Sequence, residues 1–377
     1  MVTASKLFEA YLDANIALGL TALIWALASA LLGRTFLRNA FLTHLRLTYG
    51  ILITFALIPA GLIVMSWLQK SGLMGQGATI NLSDFAVAQY LNGRFALTPS
   101  QFENLLTIRA DFTHMVVGGA SVIGWAIAVL LVTGMFATIF RLAWNVWGVW
   151  TLVNRSYKWR RIGRVELRFT DEIHVPFSTR GLRCSYIILP SAFLSRAADM
   201  RIAVAHELQH MRQGDLVWEF ILESMRPLFF WNPAFHFWKR EIERLRELAC
   251  DQQVLIRRGI GVKAYCECLL RVCHDSLRND NRDQIHVPVV SFAPVGLRLD
   301  GGRAAALLQK RVISLLQGPK KGFRDRMLTK VLLVPLIVAI LVGAMAAQRS
   351  GDWSQDRLTL STIVNLERLD LRNGISW

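Results

Sequence analysis

The sequence predicts a mainly α-helical membrane protein with about four transmembrane helices and one cytoplasmic α+β domain. Three observations predict it. The chain is 53% hydrophobic yet carries a formal net charge of +16. Its mean hydropathy is positive, at +0.35. Long uncharged apolar runs alternate with short basic connections. High hydropathy and a basic excess coexist when Lys and Arg collect on the cytoplasmic side of a membrane protein. Nucleic-acid binding is the other common reason for a basic chain. It is not expected here, because the basic residues form no recognisable reading motif.

A helix needs about 20 apolar residues to cross the hydrocarbon core. Four stretches meet that length, at about 12–33, 48–68, 115–140 and 328–348. The first is almost purely Ala, Leu and Ile. The second contains Pro59, which a membrane helix tolerates as a kink. The third and fourth carry no charge between Val116 and Phe140 or between Val331 and Ala347. Arg34, Arg38 and Arg46 lie between the first two runs, the outside loop 69–114 is poor in cations, and 141–327 is densely basic. This places both termini outside and the 141–327 domain inside a bacterial inner (plasma) membrane, with 349–377 as a short extracytoplasmic tail. A cleaved signal peptide is not expected, since only Lys6 precedes the first run while Arg34 and Arg38 follow it. Leu216 to Trp231 is interrupted by Glu219, Glu223 and Arg226 and reads as an interfacial or core helix broken at Pro227. Trp144, Trp147, Trp150 and Trp159 beside basic residues read as an interfacial anchor after the third run.

The five cysteines are Cys184, Cys250, Cys266, Cys268 and Cys273, all in the region assigned to the cytoplasm, where thiols stay reduced. Cys266, Cys268 and Cys273 lack zinc-ribbon spacing and read as buried thiols on a helix.

His206-Glu207-Leu208-Gln209-His210 carries the chemistry. Two histidines four apart on a helix project from one face and can share a metal ion, with the intervening Glu as general base. Asp199 opens the helix and Gly214 stops it. Zn2+ suits neutral imidazoles, and three protein ligands with an open fourth position make a catalytic site. A second long helix starts at Asn232-Pro233, a good N-cap followed by proline at the first helical position, and should end near Gly259. On it Glu243, Glu247 and Asp251 share one face. One of these carboxylates can complete a two-His, one-Glu set, or all three can form a solvated face with Arg244 and Arg246.

Four stretches together resemble the BlaR/MecR family of integral-membrane zinc metallopeptidases: the His206–His210 motif followed by Gly214-Asp215, Trp231-Asn232-Pro233, Arg246-Glu247-Leu248-Ala249-Cys250-Asp251, and the late Arg311-Val312-Ile313. The lead-in Ile187-Ile188-Leu189-Pro190 is similar as well. The likeness runs from the first apolar run to about residue 347. It implies a zincin-like (gluzincin) metallopeptidase domain at 141–327 with His206, His210 and Glu247 as zinc ligands. Glu207 would be the general base, and Asp251 would orient a ligand histidine from behind.

Arg164 to Phe169 and Ser185 to Leu189 read as strands. Ser185, Tyr186, Ile187, Ile188 and Leu189 are expected to be an edge strand to which an extended peptide substrate adds. His236, Tyr186 and Arg240 are candidates for stabilising the oxyanion. The chain contains no Ser-x-x-Lys, so the acyl-serine, penicillin-binding sensor domain of the best-known family members is not expected, and any sensor would be a separate protein.

The expected function is zinc-dependent regulatory endoproteolysis of a cytoplasmic or membrane-proximal protein, such as a repressor, with the lipid bilayer as the other partner. Two alternatives stand beside it. One is a CAAX- or heat-shock-type membrane processing or quality-control protease. The other is a non-proteolytic receptor or scaffold with a structural zinc held partly by Cys250. The sequence leaves the oligomeric state open.

Overall fold

The computed structural model describes residues 4–35, 38–70, 87, 90–91, 98–119, 121–181, 184–278, 290–291, 301–317, 325–346 and 355–372. The chain divides into two compact units, one of residues 1–28, 48–133 and 330–377, the other of residues 29–47 and 134–329.

Four helices come first: α1 (Ala4–Leu32), α2 (Phe41–Lys70), α3 (Pro99–Val117) and α4 (Val122–Arg155). Within them Leu7–Leu32 and Val122–Arg155 are long and apolar enough to cross a membrane. Only 6% of the most apolar window of α4 is buried by protein, so α4 is not the core helix of a soluble domain. Val122, Ile123, Leu130, Phe136 and Phe140 are all largely exposed along it, followed by Trp144, Trp147 and Trp150. An apolar surface of that extent needs an apolar surrounding. The second and fourth runs contribute shorter apolar stretches among the described residues, Phe41–Leu57 and Val331–Leu341.

The third run begins later than its composition suggests. Gly119 takes a φ of +66°, open to glycine, and separates α3 from α4. Ser121 Oγ then accepts from Gly124 N at 3.1 Å and caps the new helix. The helix expected at 115–140 therefore starts at Val122 and runs to Arg155.

The second unit is built on a five-stranded sheet. β1 (Tyr157–Ile162), β2 (Val165–Thr170), β3 (Phe177–Arg180) and β4 (Ser185–Pro190) precede the helices. A short 3-10 turn at Ser191–Ser195 leads to α5 (Ala197–Gln213), α6 (Asp215–Phe229), α7 (Pro233–Arg258) and α8 (Val262–Arg278), then β5 (Val290–Ser291) and α9 (Gly301–Leu316). The spatial order is β1-β2-β4-β3-β5.

β4 pairs in parallel with β2 from Ser185 to Pro190 and antiparallel with β3 from Ser185 to Ile188. This corrects the expectation for Ser185, Tyr186, Ile187, Ile188 and Leu189. From Ser185 to Ile188 both edges of that strand are already paired, and Leu189 is paired on the β2 side, so β4 is an interior strand and not an edge. The Ile-Ile-Leu run fits a strand covered on both faces. Ile187 and Leu189 face a core of Leu167, Ile202, Val254 and Leu269. Ile188, pointing the other way, packs with Phe177 and with Val149, Leu152 and Val153 of α4. β1 was not anticipated as a strand, because its six residues are all exposed and show no alternation of burial.

Residues 216–231 do form a helix, but it passes through Pro227 to Phe229 instead of breaking there. A proline so near the C-terminal end forfeits little of the helical hydrogen bonding. The inward carboxylates Glu219 and Glu223 are buried against Lys239, and Glu219 also accepts from Arg246 Nη1 at 2.6 Å.

The chain continues through α10 (Asp325–Ala346) and α11 (Gln355–Arg372). In the first unit, Leu360 and Val364 of α11 cluster with Phe102 of α3 and Val87. Glu367 Oε2 accepts from Ser100 N at 2.9 Å, placing a carboxylate at the N-terminus of α3, where it is electrostatically favoured.

Candidate metal centre

Each helix of the site has its own start and stop. Asp199, in the first turn of α5, is clamped by Arg271 Nε and Nη2 at 3.0 and 2.6 Å. Gly214 closes the helix with φ +77°, its N–H reaching the His210 and Met211 carbonyls. On α7, Asn232 Oδ1 accepts from Ala234 N at 3.0 Å, Pro233 takes the first helical position, and Gly259 ends the helix with φ +61°. These fixed ends put the i, i+4 pair His206/His210 against the i, i+4 pair Glu247/Asp251.

The two Nε2 atoms lie 2.9 Å apart. Glu247 Oε2 is 3.6 Å from His206 Nε2, and Glu247 Oε1 is 3.7 Å from His210 Nε2. Both histidines are fully buried and Glu247 nearly so. The opposite ring atoms determine where the imidazole protons sit. Tyr265 Oη has one hydrogen, given to Asp251 Oδ1 at 2.7 Å, so at 2.8 Å it accepts from His206 Nδ1–H. His210 Nδ1–H donates to Asp215 Oδ2 at 2.8 Å. With both rings neutral, each would present an Nε2 lone pair to the other; with His210 protonated, its Nε2–H donates to His206 Nε2. A 2.9 Å separation thus requires either a proton or a metal ion between the two nitrogens.

Arg311 closes the back of the cluster. It is fully buried; its Nε donates to Asp251 Oδ2 and its Nη2 to Asp251 Oδ1, each at 2.7 Å, and Nη1 is 3.3 Å from Glu247 Oε2. Burial opposes the charge on Glu247, but Arg311 and the two histidines outweigh it and hold that carboxyl well below the usual range. Burial, with His210 alongside, pulls His206 down to about 4. For His210 burial pulls the same way, yet the Asp215 hydrogen bond and the Glu247 charge raise it above the ordinary imidazole value.

Glu207 differs from every other acid here. It is fully buried and neither of its oxygens has a hydrogen-bond partner among the described residues. Burial pushes its carboxyl up to about 8, against the pull of His210 and of Ser178 on β3.

The donor set fits a tetrahedral metal. Bonds of about 2.0–2.1 Å imply donor–donor edges of about 3.4 Å; the Nε2–Nε2 edge is 2.9 Å, and each Nε2 has a different Glu247 oxygen at 3.6 or 3.7 Å. A second set is close at hand, since ligand atoms of His206, His210 and Cys250 lie within 4.8 Å of one another. That set is the weaker candidate on geometry. Cys250 Sγ approaches His206 at Nδ1, 3.5 Å away, on the side already occupied by Tyr265.

Of the residues expected at the site, His206, Glu207, His210, Glu247 and Asp251 converge, whereas the β4 residues lie within the sheet. His236 is spent on the Phe230 carbonyl at 2.7 Å. Tyr186 bonds Cys184 at 3.2 Å and lies under Arg168. The sequence reading gave no role to Tyr265, Asp215 or Arg311. For Arg311 a signal existed: a lone cation on the 307–311–315 stripe between two leucines is a buried charge awaiting a partner. Nothing in the sequence singles out Tyr265.

The region that holds this sheet and site is similar to known peptidases. Residues 123–300 match the family model described as BlaR1 peptidase M56, a narrower span than the resemblance read from the motifs. The chain is 31% identical over 77 residues to the methicillin resistance mecR1 protein of Staphylococcus aureus and to that of Staphylococcus epidermidis. Those 77 residues are 20% of this chain and 13% of the relatives' length.

Proposed function

We propose that the chain is a membrane-embedded zinc endopeptidase that cleaves a cytoplasmic or membrane-proximal protein in a regulatory step. The observation that carries this reading is the pair of fully buried Nε2 atoms at 2.9 Å, a spacing that needs a proton or a metal ion between them, beside the buried carboxylates of Glu207 and Glu247. His206, His210 and Glu247 would hold the zinc. When bound, zinc supplies Lewis acidity to a peptide carbonyl and lowers the pKa of the attacking water.

The chain's own groups do the rest. Glu207 accepts the proton of that water and returns it to the leaving amine. Its environment suits both tasks: burial, opposed by His210 and the Ser178 hydroxyl, lets it change protonation state near neutral pH. Asp215 and the Tyr265–Asp251 pair hold the imidazoles in the tautomer that leaves Nε2 free. Arg311 keeps Glu247 ionised and holds Asp251 by two 2.7 Å hydrogen bonds.

We assign all four apolar runs as transmembrane helices, with the catalytic unit on the cytoplasmic side. The support is the basic content of 141–327 and the interfacial tryptophans that close α4.

Metal analysis and peptide hydrolysis by the full chain in detergent, beside Glu207→Ala, test the reading. The expected result is about one zinc per chain in both and hydrolysis in the wild type alone. Absence of zinc from the wild type, or turnover by Glu207→Ala, refutes it.

A further inference from the structure

Within the second unit, away from the metal centre, a cavity of about 390 Å³ opens between the α1–α2 connection and helices α7 and α9. That size is in the range of small-molecule sites. Its chemistry is lopsided. Arg38, Arg244 and Lys310 line it with a single carboxylate, Glu241. Both Glu241 oxygens are taken by Arg244, one of them by its Nε at 2.9 Å. Neither Arg38 nor Lys310 has an acidic partner among the described residues, and both are exposed.

The walls are braced. Asn39 Nδ2 donates to Gln317 Oε1 at 3.3 Å, Gln252 Nε2 donates to the Asn39 carbonyl at 3.2 Å, and Ser314 Oγ donates to the Arg311 carbonyl at 2.8 Å. The cavity is therefore a formed concavity and not a gap between loose side chains.

Its position is informative too. Ser29 and Ala30 are in the last turn of α1, and Phe41 and His44 are in the first turn of α2. The cations thus gather where two apolar runs end, the level at which basic pockets beside membrane helices meet lipid headgroups. Guanidinium forks match phosphate oxygens in geometry as well as charge.

We propose that this cavity is a binding site for a phosphate anion, carried either by an anionic phospholipid headgroup or by a free phosphate. The site stands independently of the peptidase reading. It lies behind α7 and α9, whose other faces carry Glu247 and Arg311.

The test uses the full chain in neutral detergent, with phosphatidylglycerol, phosphatidylcholine and inorganic phosphate as probes. Retention by native mass spectrometry and thermal stabilisation are the readouts. Arg38→Ala/Lys310→Ala is compared with Arg160→Ala/Arg164→Ala, which removes the same charge from exposed positions in and just after β1. Saturable phosphatidylglycerol binding, weakened at least about tenfold only in the first variant, supports the site with a lipid source. Inorganic phosphate competing for it, or binding with the same variant dependence, supports the site with a soluble source. Equal losses in the two variants, or no loss in Arg38→Ala/Lys310→Ala, overturn the proposal. All four positions are exposed, so each variant should fold, and its melting without added probe verifies that.

Discussion

Replacing Arg311 by methionine leaves two buried carboxylates facing each other without their cation. Asp251 is fully buried and loses both of its 2.7 Å guanidinium bonds, keeping the Tyr265 hydrogen bond and the His206 ring 3.4 Å away. Glu247 loses a 3.3 Å contact, but its side chain retains 10% exposure and is the less affected of the two. Removing one member of a buried ion pair costs about 3–5 kcal/mol, because the remaining charge stays in a poorly solvating interior. For a unit of this size each kcal/mol lowers the melting temperature by about 2–4 °C, so a fall of about 6–20 °C is expected. The assay is tryptophan fluorescence during thermal unfolding of the full chain in detergent, with chelator present so that metal occupancy does not contribute. A second variant, Arg311→Met with Asp251→Asn, removes the stranded charge while keeping an acceptor for Tyr265. It should recover most of the loss. If the single and double variants melt together, the loss was packing alone and the argument from an uncompensated charge is wrong.

Three other outcomes are expected. Tyr265→Phe removes the hydroxyl between His206 and Asp251, which frees the imidazole to change tautomer; metal affinity by chelator competition should fall about 10–100-fold, with little change in melting of the metal-free chain. In the metal-free state His210 holds its proton above the ordinary imidazole range. Its contribution to stability is therefore full below the unfolded value of about 6.5 and is lost as pH rises through the raised folded value. Metal uptake must displace that proton, so affinity should increase with pH over the same window, and titrations that show no proton release would contradict it. Gly214→Ala puts a side chain at φ +77° with nothing within 4 Å of the new methyl; the cost of about 1–2 kcal/mol is backbone strain alone, read as a lower melting temperature.

The sequence disclosed the site's ligands better than their supports, and the reason is locality. His206 and His210 announce themselves by helical spacing, which also puts Glu243, Glu247 and Asp251 on one face without choosing among them, and Asn232, Pro233, Gly214 and Gly259 mark helix ends through short-range backbone chemistry. Tyr265 and Arg311 come from helices elsewhere in the chain and touch the site only through tertiary packing, which no local pattern encodes. The sheet divides in the same way. β2 and β4 were visible from their β-branched and aromatic residues, whereas strand order was not, and β4 proved interior because β3 returns to cover its free edge. β1, wholly exposed, has no burial pattern to read.

The sixty residues of chain between Asp251 and Arg311 have a consequence for synthesis. At about 5–20 residues per second, Glu247 and Asp251 leave the ribosome several seconds before the cation that neutralises them. During that interval the two carboxylates have no reason to bury, and the histidines have no rigid backing. The centre can assemble only when α9 has been made, shortly before α10 emerges. A nascent chain therefore carries its histidine motif through about a hundred further residues of synthesis, from His210 to Arg311, before the centre can form, and assembly of that centre is timed by the order of the sequence itself.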